Sequence, residues 1–296
     1  MKAALRITLI VLGVMQVAHA GPLECTNWQS LHPEWVWCDD FESDAALSSS
    51  YFEVNRSNGF GVTTTTAFGG SGALKATYYP GVQESGNVKL GIGRSPVASK
   101  IQVSRNFEDL YWRFYLKMDP NWVGNANKLT RATIFSSSNW AQAAISHLWE
   151  DEMDGNGLGL DPVSGVVGGV VVTTKYNDFQ NMRWLGKING ITQIYAPENL
   201  NRWNCIEVHM KLNTPGASDG VSEFWVDSHL EARRADLNWR GTYTAYGINA
   251  IMLENYKNGG PTQVQSRYFD NFVVSTARIG CLTAVRPNPP TDLTVQ

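Results

Sequence analysis

The segment Trp203 to Leu212 constrains this chain most. Asn204, Ile206, Val208, Met210 and Leu212 alternate with Trp203, Cys205, Glu207, His209 and Lys211. Successive side chains of a strand point to opposite faces, so this is a strand with one apolar and one polar side. Such a strand belongs in a sheet that packs on a core below and meets solvent or a ligand above. A second strand pattern, Val221 to Leu230, follows after a loop of Asn, Thr, Pro, Gly, Ser and Asp. The same logic governs Leu110 to Met118. Trp112, Phe114, Leu116 and Met118 share one face, and Tyr111, Arg113, Tyr115 and Lys117 the other.

Further strands are expected at Trp35–Glu42, Ala73–Tyr79, Ile101–Phe107, Ala143–Trp149, Tyr246–Tyr256 and Arg267–Ser275. A β-branched run covers Gly165–Thr174, and Met182–Ile188 with Gly190–Tyr195 reads as a hairpin. Ser43–Ser50 reads as a polar loop, Gly69–Gly72 as a sharp turn, and Asn125–Asn139 as a loop with a short strand. Gly81–Ser99 shows only its wealth of Gly, Ser and Asn. With turn signals between strands, few long helical patterns and no alternation of strand and helix, the fold class is all-β. The architecture expected is an antiparallel two-sheet jelly roll.

The chain begins with the marks of an export signal at residues 1–20. Lys2 and Arg6 precede an apolar run from Ile7 to Val17, and Ala18-His19-Ala20 is a small-x-small cleavage site. That run is too short to span a bilayer, so no membrane span is expected and the protein is placed in the secreted or periplasmic space. Residues 21–284 form the β domain, and 285–296 a Pro-rich tail or linker stub. Removal of the leader leaves 22 basic against 27 acidic residues, net −5. With no basic run either, nucleic acid is excluded as a partner. Four cysteines in an exported chain imply disulfides, and three pairings are open. Cys25–Cys38 is favoured because it is local, and Cys205–Cys281 because it staples the last strand to an inner one.

Four segments occur in a telling order: DDFE (Asp39–Glu42), SGALKATY (Ser71–Tyr78), EFWVDSHLE (Glu223–Glu231) and YFDNFVVST (Tyr268–Thr276). In this order, over roughly Trp35 to Gly280, the chain resembles the concanavalin A-like lectin/glucanase superfamily. The K-L-N-T-P-G stretch from Lys211 and the Asp219-Gly220 pair resemble secreted bacterial proteins of the polysaccharide lyase type. Ser228 stands where the W-V-D-G turn of that group has Gly. The resemblance implies a structural calcium ion between the first and last strands, held by Glu42, Asp270 and carbonyls near Gly69–Gly72. No organic cofactor is expected. It also implies a polysaccharide partner.

β-Elimination at a uronic acid needs a cation against the carboxylate, a base for the α-proton and an acid for the leaving oxygen. On the polar strand faces, Arg113 or Lys211 suits the first role. His209 or Tyr115 suits the second, and Tyr111 or Tyr115 the third. Lys117, Glu207 and Trp203 complete the expected glycan-binding surface. Trp149, Trp184, Trp225 and Trp239 are further stacking candidates, with Trp203 preferred by its parity. Glycoside hydrolysis needs two opposed carboxyl groups. The acidic loop Glu150-Asp151-Glu152-Met153-Asp154 and the lone Glu254 are the candidates for it. The alternative is a non-catalytic carbohydrate-binding or adhesion module. No Gly-x-Ser-x-Gly elbow, His-Glu-x-x-His motif or phosphate-binding glycine loop is present.

Overall fold

The computed structural model describes residues 23–124, 127–151 and 155–282. The expected leader, the Pro-rich tail and the centre of the acidic loop lie outside the described residues. In chain order the strands are β1 (Trp35–Asp39), β2 (Glu53–Asn55), β3 (Gly61–Thr63), β4 (Ala73–Tyr78), β5 (Glu84–Gly91) and β6 (Asp109–Met118). Then come β7 (Lys128–Phe135), β8 (Gln142–Glu150), β9 (Leu158–Ser164), β10 (Val166–Val167), β11 (Val170–Val171) and β12 (Arg183–Trp184). The last are β13 (Ile188–Asn189), β14 (Asn204–Lys211), β15 (Gly220–Val226), β16 (His229–Leu237), β17 (Ala250–Tyr256) and β18 (Gln265–Ser275).

Two antiparallel sheets of eight strands face each other, a jelly-roll sandwich. Sheet one runs β16-β15-β14-β6-β18-β4-β3, with β1 also on β18. Sheet two runs β12-β9-β8-β7-β17-β5-β2, with β13 on β9. The alternation dictates which side is buried. Trp112, Phe114, Leu116, Ile206, Val208 and Met210 turn inward from sheet one. Val88, Leu90, Ala132, Ile134, Leu148, Ile251 and Leu253 meet them from sheet two. Each large side chain contributes about 1.5–3 kcal/mol by burial. Two polar bonds join the sheets: Trp112 Nε1 donates to Thr130 Oγ1 at 2.9 Å, and the Ser146 and Ser222 hydroxyls lie 3.1 Å apart.

Several local expectations are corrected. Asp44–Ser50 is a short helix that buries Leu47, not a loop. Ile101–Phe107 is no strand. Gln102 has φ 46°, the chain turns through an Arg105 N–H to Gln102 C=O bond, and Ile101 and Phe107 make only isolated bridges. Glu84–Gly91, Lys128–Phe135 and Leu158–Ser164 are full strands. The hairpin expected at 182–195 is instead two short strands, each pairing with β9. β15 and β16 meet at a two-residue turn in which Asp227 and Ser228 both have positive φ, 49° and 71°. Ser228 thus adopts the backbone that Gly takes readily.

Candidate functional site

The outer face of sheet one carries the residues singled out by the alternation, and the register brings them together. Glu207 is paired with Arg113, His209 with Tyr111, and Cys205 with Tyr115. This face is covered by the segments just before β1 and just after β18. The Arg113 guanidinium is fully buried and binds both carboxylate oxygens of Glu24, at 2.8 Å for the Nη1–Oε2 contact. It also donates to the Asn271 carbonyl. The Tyr115 ring stacks on Phe68 at 3.5 Å, and its hydroxyl accepts the Leu282 N–H at 2.6 Å. Burial pushes this phenol up to about 12. Glu207 accepts the N–H groups of Ile279 and Gly280. His209 is clasped between Glu223 and Asp109, at 2.7 and 2.6 Å, with Tyr111 stacked on it at 3.9 Å.

Disulfides fix both covering segments. Cys25–Cys38 holds the strap before β1, and Cys205–Cys281 ties the strap after β18 to β14. Of the residues expected to act on or bind glycan on this face, Lys211 is exposed, at the end of β14. Tyr111, Lys117 and Trp203 are half-buried. Lys117 bonds the Thr66 hydroxyl and lies 5.9 Å over the Trp203 ring. Trp225 lies under Arg278, and Trp239 is core. Arg113, Tyr115, Glu207 and His209 are all buried.

Glu42 and Asp270 bind one loop by accepting its N–H groups. Glu42 takes those of Ser71 and Gly72, and Asp270 those of Phe68 and Gly69. Burial pushes Asp270 up to about 8, and Asp40 nearby up to about 6. Asp40 Oδ1 is buried with no donor. Buried acids with raised pKa values and an orphaned oxygen are chemistry that a cation would complete, with Asp40 beside Asp270.

The outer face of sheet two is covered in part, with Phe135, Ala250 and Met252 in one small apolar cluster and Ile145, Val163 and Met182 in another, and two clefts are left on it. A cleft of about 620 Å³ is lined by Asn127, Lys128, Trp149, Glu150, Asp161, Phe179, Trp184, Lys187, Tyr256 and Asn258. A second, of about 340 Å³, is lined by Glu53, Glu84, Lys89, Tyr176, Asn177 and Glu254 among others. Lys128 and Tyr256 belong to both, with the ammonium 4.6 Å over the phenol ring. Burial pulls the Lys128 amine below its ordinary value, opposed in part by Glu254. Burial holds Glu150 above the usual carboxylate range. The Tyr256 hydroxyl donates to Gln83 Oε1 at 2.8 Å.

Beneath these groups lies a fixed polar floor. Buried Arg131 binds Glu254 Oε1 at 2.7 Å, Asn177 Oδ1 at 2.7 Å and the Tyr176 hydroxyl. Lys89 is paired with Glu53. His147 is buried and held well below the usual histidine range, first by desolvation and then by the Arg131 charge. It is therefore neutral, with Nδ1–H donating to the Asp161 carbonyl at 3.1 Å. Reasoning from sequence found Trp149, Trp184, Glu150 and Glu254 but missed Lys128, Arg131, Tyr176 and Tyr256. The available signal was Lys89 and Arg131 alternating with Val88, Leu90, Ala132 and Ile134.

No protein-family model matches the sequence, and no curated protein matches it. Solved structures match over most of the chain. The endo-β-1,4-glucuronan lyase of the fungus Trichoderma reesei aligns at TM-score 0.56 with 13% identity, over 82% of this chain and 96% of that one. The PL-14 alginate lyase of Aplysia kurodai aligns at 0.56 with 14% identity, over 82% and 99%. The alginate lyase vAL-1 of a Chlorella virus aligns at 0.54 with 15% identity, over 81% and 99%. At such identities the likeness is one of fold. The chain thus has the concanavalin A-like jelly-roll fold, in the form that these polysaccharide lyases share.

Proposed function

We propose that this protein is a secreted polysaccharide lyase acting on an acidic glycan, and that the reaction takes place in the cleft on sheet two. The observation that carries the reading is Lys128 and Tyr256 lining both clefts side by side. The shared fold with a glucuronan lyase and two alginate lyases supports the reaction class, and two disulfides suit an oxidising compartment.

The chemistry assigns three roles. Lys187, on the wall of the larger cleft, meets the uronate carboxylate and stabilises the charge that develops when the α-proton leaves. Lys128 takes that proton, because desolvation raises the fraction of free amine at neutral pH. The electron pair of the broken C–H bond forms the double bond to the β-carbon. The bond from the β-carbon to the glycosidic oxygen breaks, and that oxygen leaves with the Tyr256 proton. Arg131, Glu254 and Tyr176 position the floor, and His147 supports Trp149. A structural calcium ion belongs to this reading too, away from the chemistry, beside Asp270 and Asp40.

The test follows ultraviolet absorbance of unsaturated uronide ends on glucuronan, alginate and glycosaminoglycans. Wild type forms the product on at least one. Lys128→Met and Tyr256→Phe lower turnover by about 100-fold or more while melting as wild type does. Tight binding of a glycan with no product from any polymer replaces the lyase by a binding module.

A further inference from the structure

The larger cleft has an aromatic wall that the proposed proton transfers do not use. Trp184 sits on β12 at the rim of sheet two, in register with Val163, and is 43% exposed. Its ring lies 6.1 Å from that of Trp149 with the planes 22° apart, and 5.5 Å from Phe179. Trp149 is backed by His147 at 4.1 Å and 15°. The backing ring is neutral and fixed by its bond to the Asp161 carbonyl. The two indoles are therefore held in place before any ligand arrives. Exposing an indole costs free energy, and fixing it on a buried support keeps its face available.

An indole face is electron-rich and attracts polarised C–H bonds. A pyranose with every ring substituent equatorial turns only axial C–H bonds toward both of its faces. A ring with axial hydroxyls puts oxygen against the indole and loses water without a hydrogen bond in return. Lys187 lines the same cleft and supplies the positive charge that a carboxylate needs. Extending the lyase reading above, we infer that Trp149 and Trp184 form a sugar-stacking subsite selective for β-linked uronates whose ring substituents are all equatorial. β-1,4-Linked glucuronate meets this description. Mannuronate and guluronate, each with axial hydroxyls, do not.

The test measures binding by calorimetry with oligomers of β-1,4-glucuronate, mannuronate and guluronate. It compares wild type, Trp184→Ala and Trp184→Phe, each also carrying Lys128→Met so that nothing turns over. The expected result is at least about tenfold tighter binding of the glucuronate oligomer. Trp184→Ala weakens that binding about fivefold to tenfold and leaves the other two within about twofold, and Trp184→Phe retains most of it. Thermal melting of each variant separates loss of the ring from loss of fold. Equal affinity for the three oligomers, binding of none, or an unaffected Trp184→Ala overturns the subsite. Turnover by the Lys128-bearing enzyme without preference leaves the lyase standing and the subsite refuted. Preference that Trp184→Ala abolishes, with no product from any polymer, does the reverse.

Discussion

Replacing Cys205 and Cys281 together by Ser separates the two faces of the sandwich. The bond closes a loop with a sequence separation of 76. In the chain-entropy treatment its loss costs about 4.5 kcal/mol, against about 3 for Cys25–Cys38 with a separation of 13. The strap it holds supplies Ile279 N–H and Gly280 N–H to Glu207, and Leu282 N–H to the Tyr115 hydroxyl. Glu207 is 1% exposed. When the strap lifts, a buried carboxylate loses its donors, at about 1.5–3 kcal/mol for each hydrogen bond to a charged group. The expected outcome is a urea midpoint lowered by several kcal/mol in stability, with uronide release per folded molecule unchanged, because sheet two carries the cleft. The assay pairs urea denaturation followed by tryptophan fluorescence with initial rates at low temperature. A stability change under about 1 kcal/mol shows that the strap does not hold the face. A fall in turnover with the fold intact, together with inactivation by Arg113→Met, places catalysis on sheet one and refutes the assignment to sheet two.

Asp270 and Asp40 give a pH signature. Their folded pKa values, about 8 and about 6, lie above the unfolded ones, so the native state holds extra protons between about pH 4 and 8 and stability falls as pH rises through that window. In chelator the melting temperature therefore drops from pH 5 to pH 8, and calcium restores it at pH 8. Calcium without effect there removes the ion from the reading. Ser228→Gly relieves a non-glycine residue at φ 71° and raises stability by about 0.5–1 kcal/mol, measured as the urea midpoint; a lowered midpoint contradicts the strained-turn account. Because Lys128 must be deprotonated to act, kcat rises with pH through its lowered value. A rate flat across that limb contradicts its role as base.

The two-sheet fold was legible because β6 and β14 alternate strictly, with Trp112, Phe114 and Leu116 against Arg113 and Tyr115, and Ile206, Val208 and Met210 against Glu207 and His209. The inward residues of β7 include Thr130 and Ala132, a polar and a small side chain, so its period was faint and Arg131 and Lys128 went unread. β5 was masked by Ser85, Gly86 and Asn87. The choice between outer faces was not legible locally. Parity assigns Arg113 and His209 to the outside of a sheet, but whether that outside meets solvent depends on Glu24 and Leu282, 89 and 167 residues away from the groups that they bind. The disulfides that carry these straps were legible as pairs, but not as fasteners over a face.

Both straps have a further consequence. The described chain enters at Leu23 and leaves at Leu282 on the side of sheet one, each end pinned close by a disulfide. Whatever is attached through either end, be it a flexible arm, a second module or a solid support, pulls on the back of the sandwich. Tension there runs into cross-linked strands while the cleft on sheet two stays turned outward. In a protein mounted in this way the cleft faces away from the anchorage.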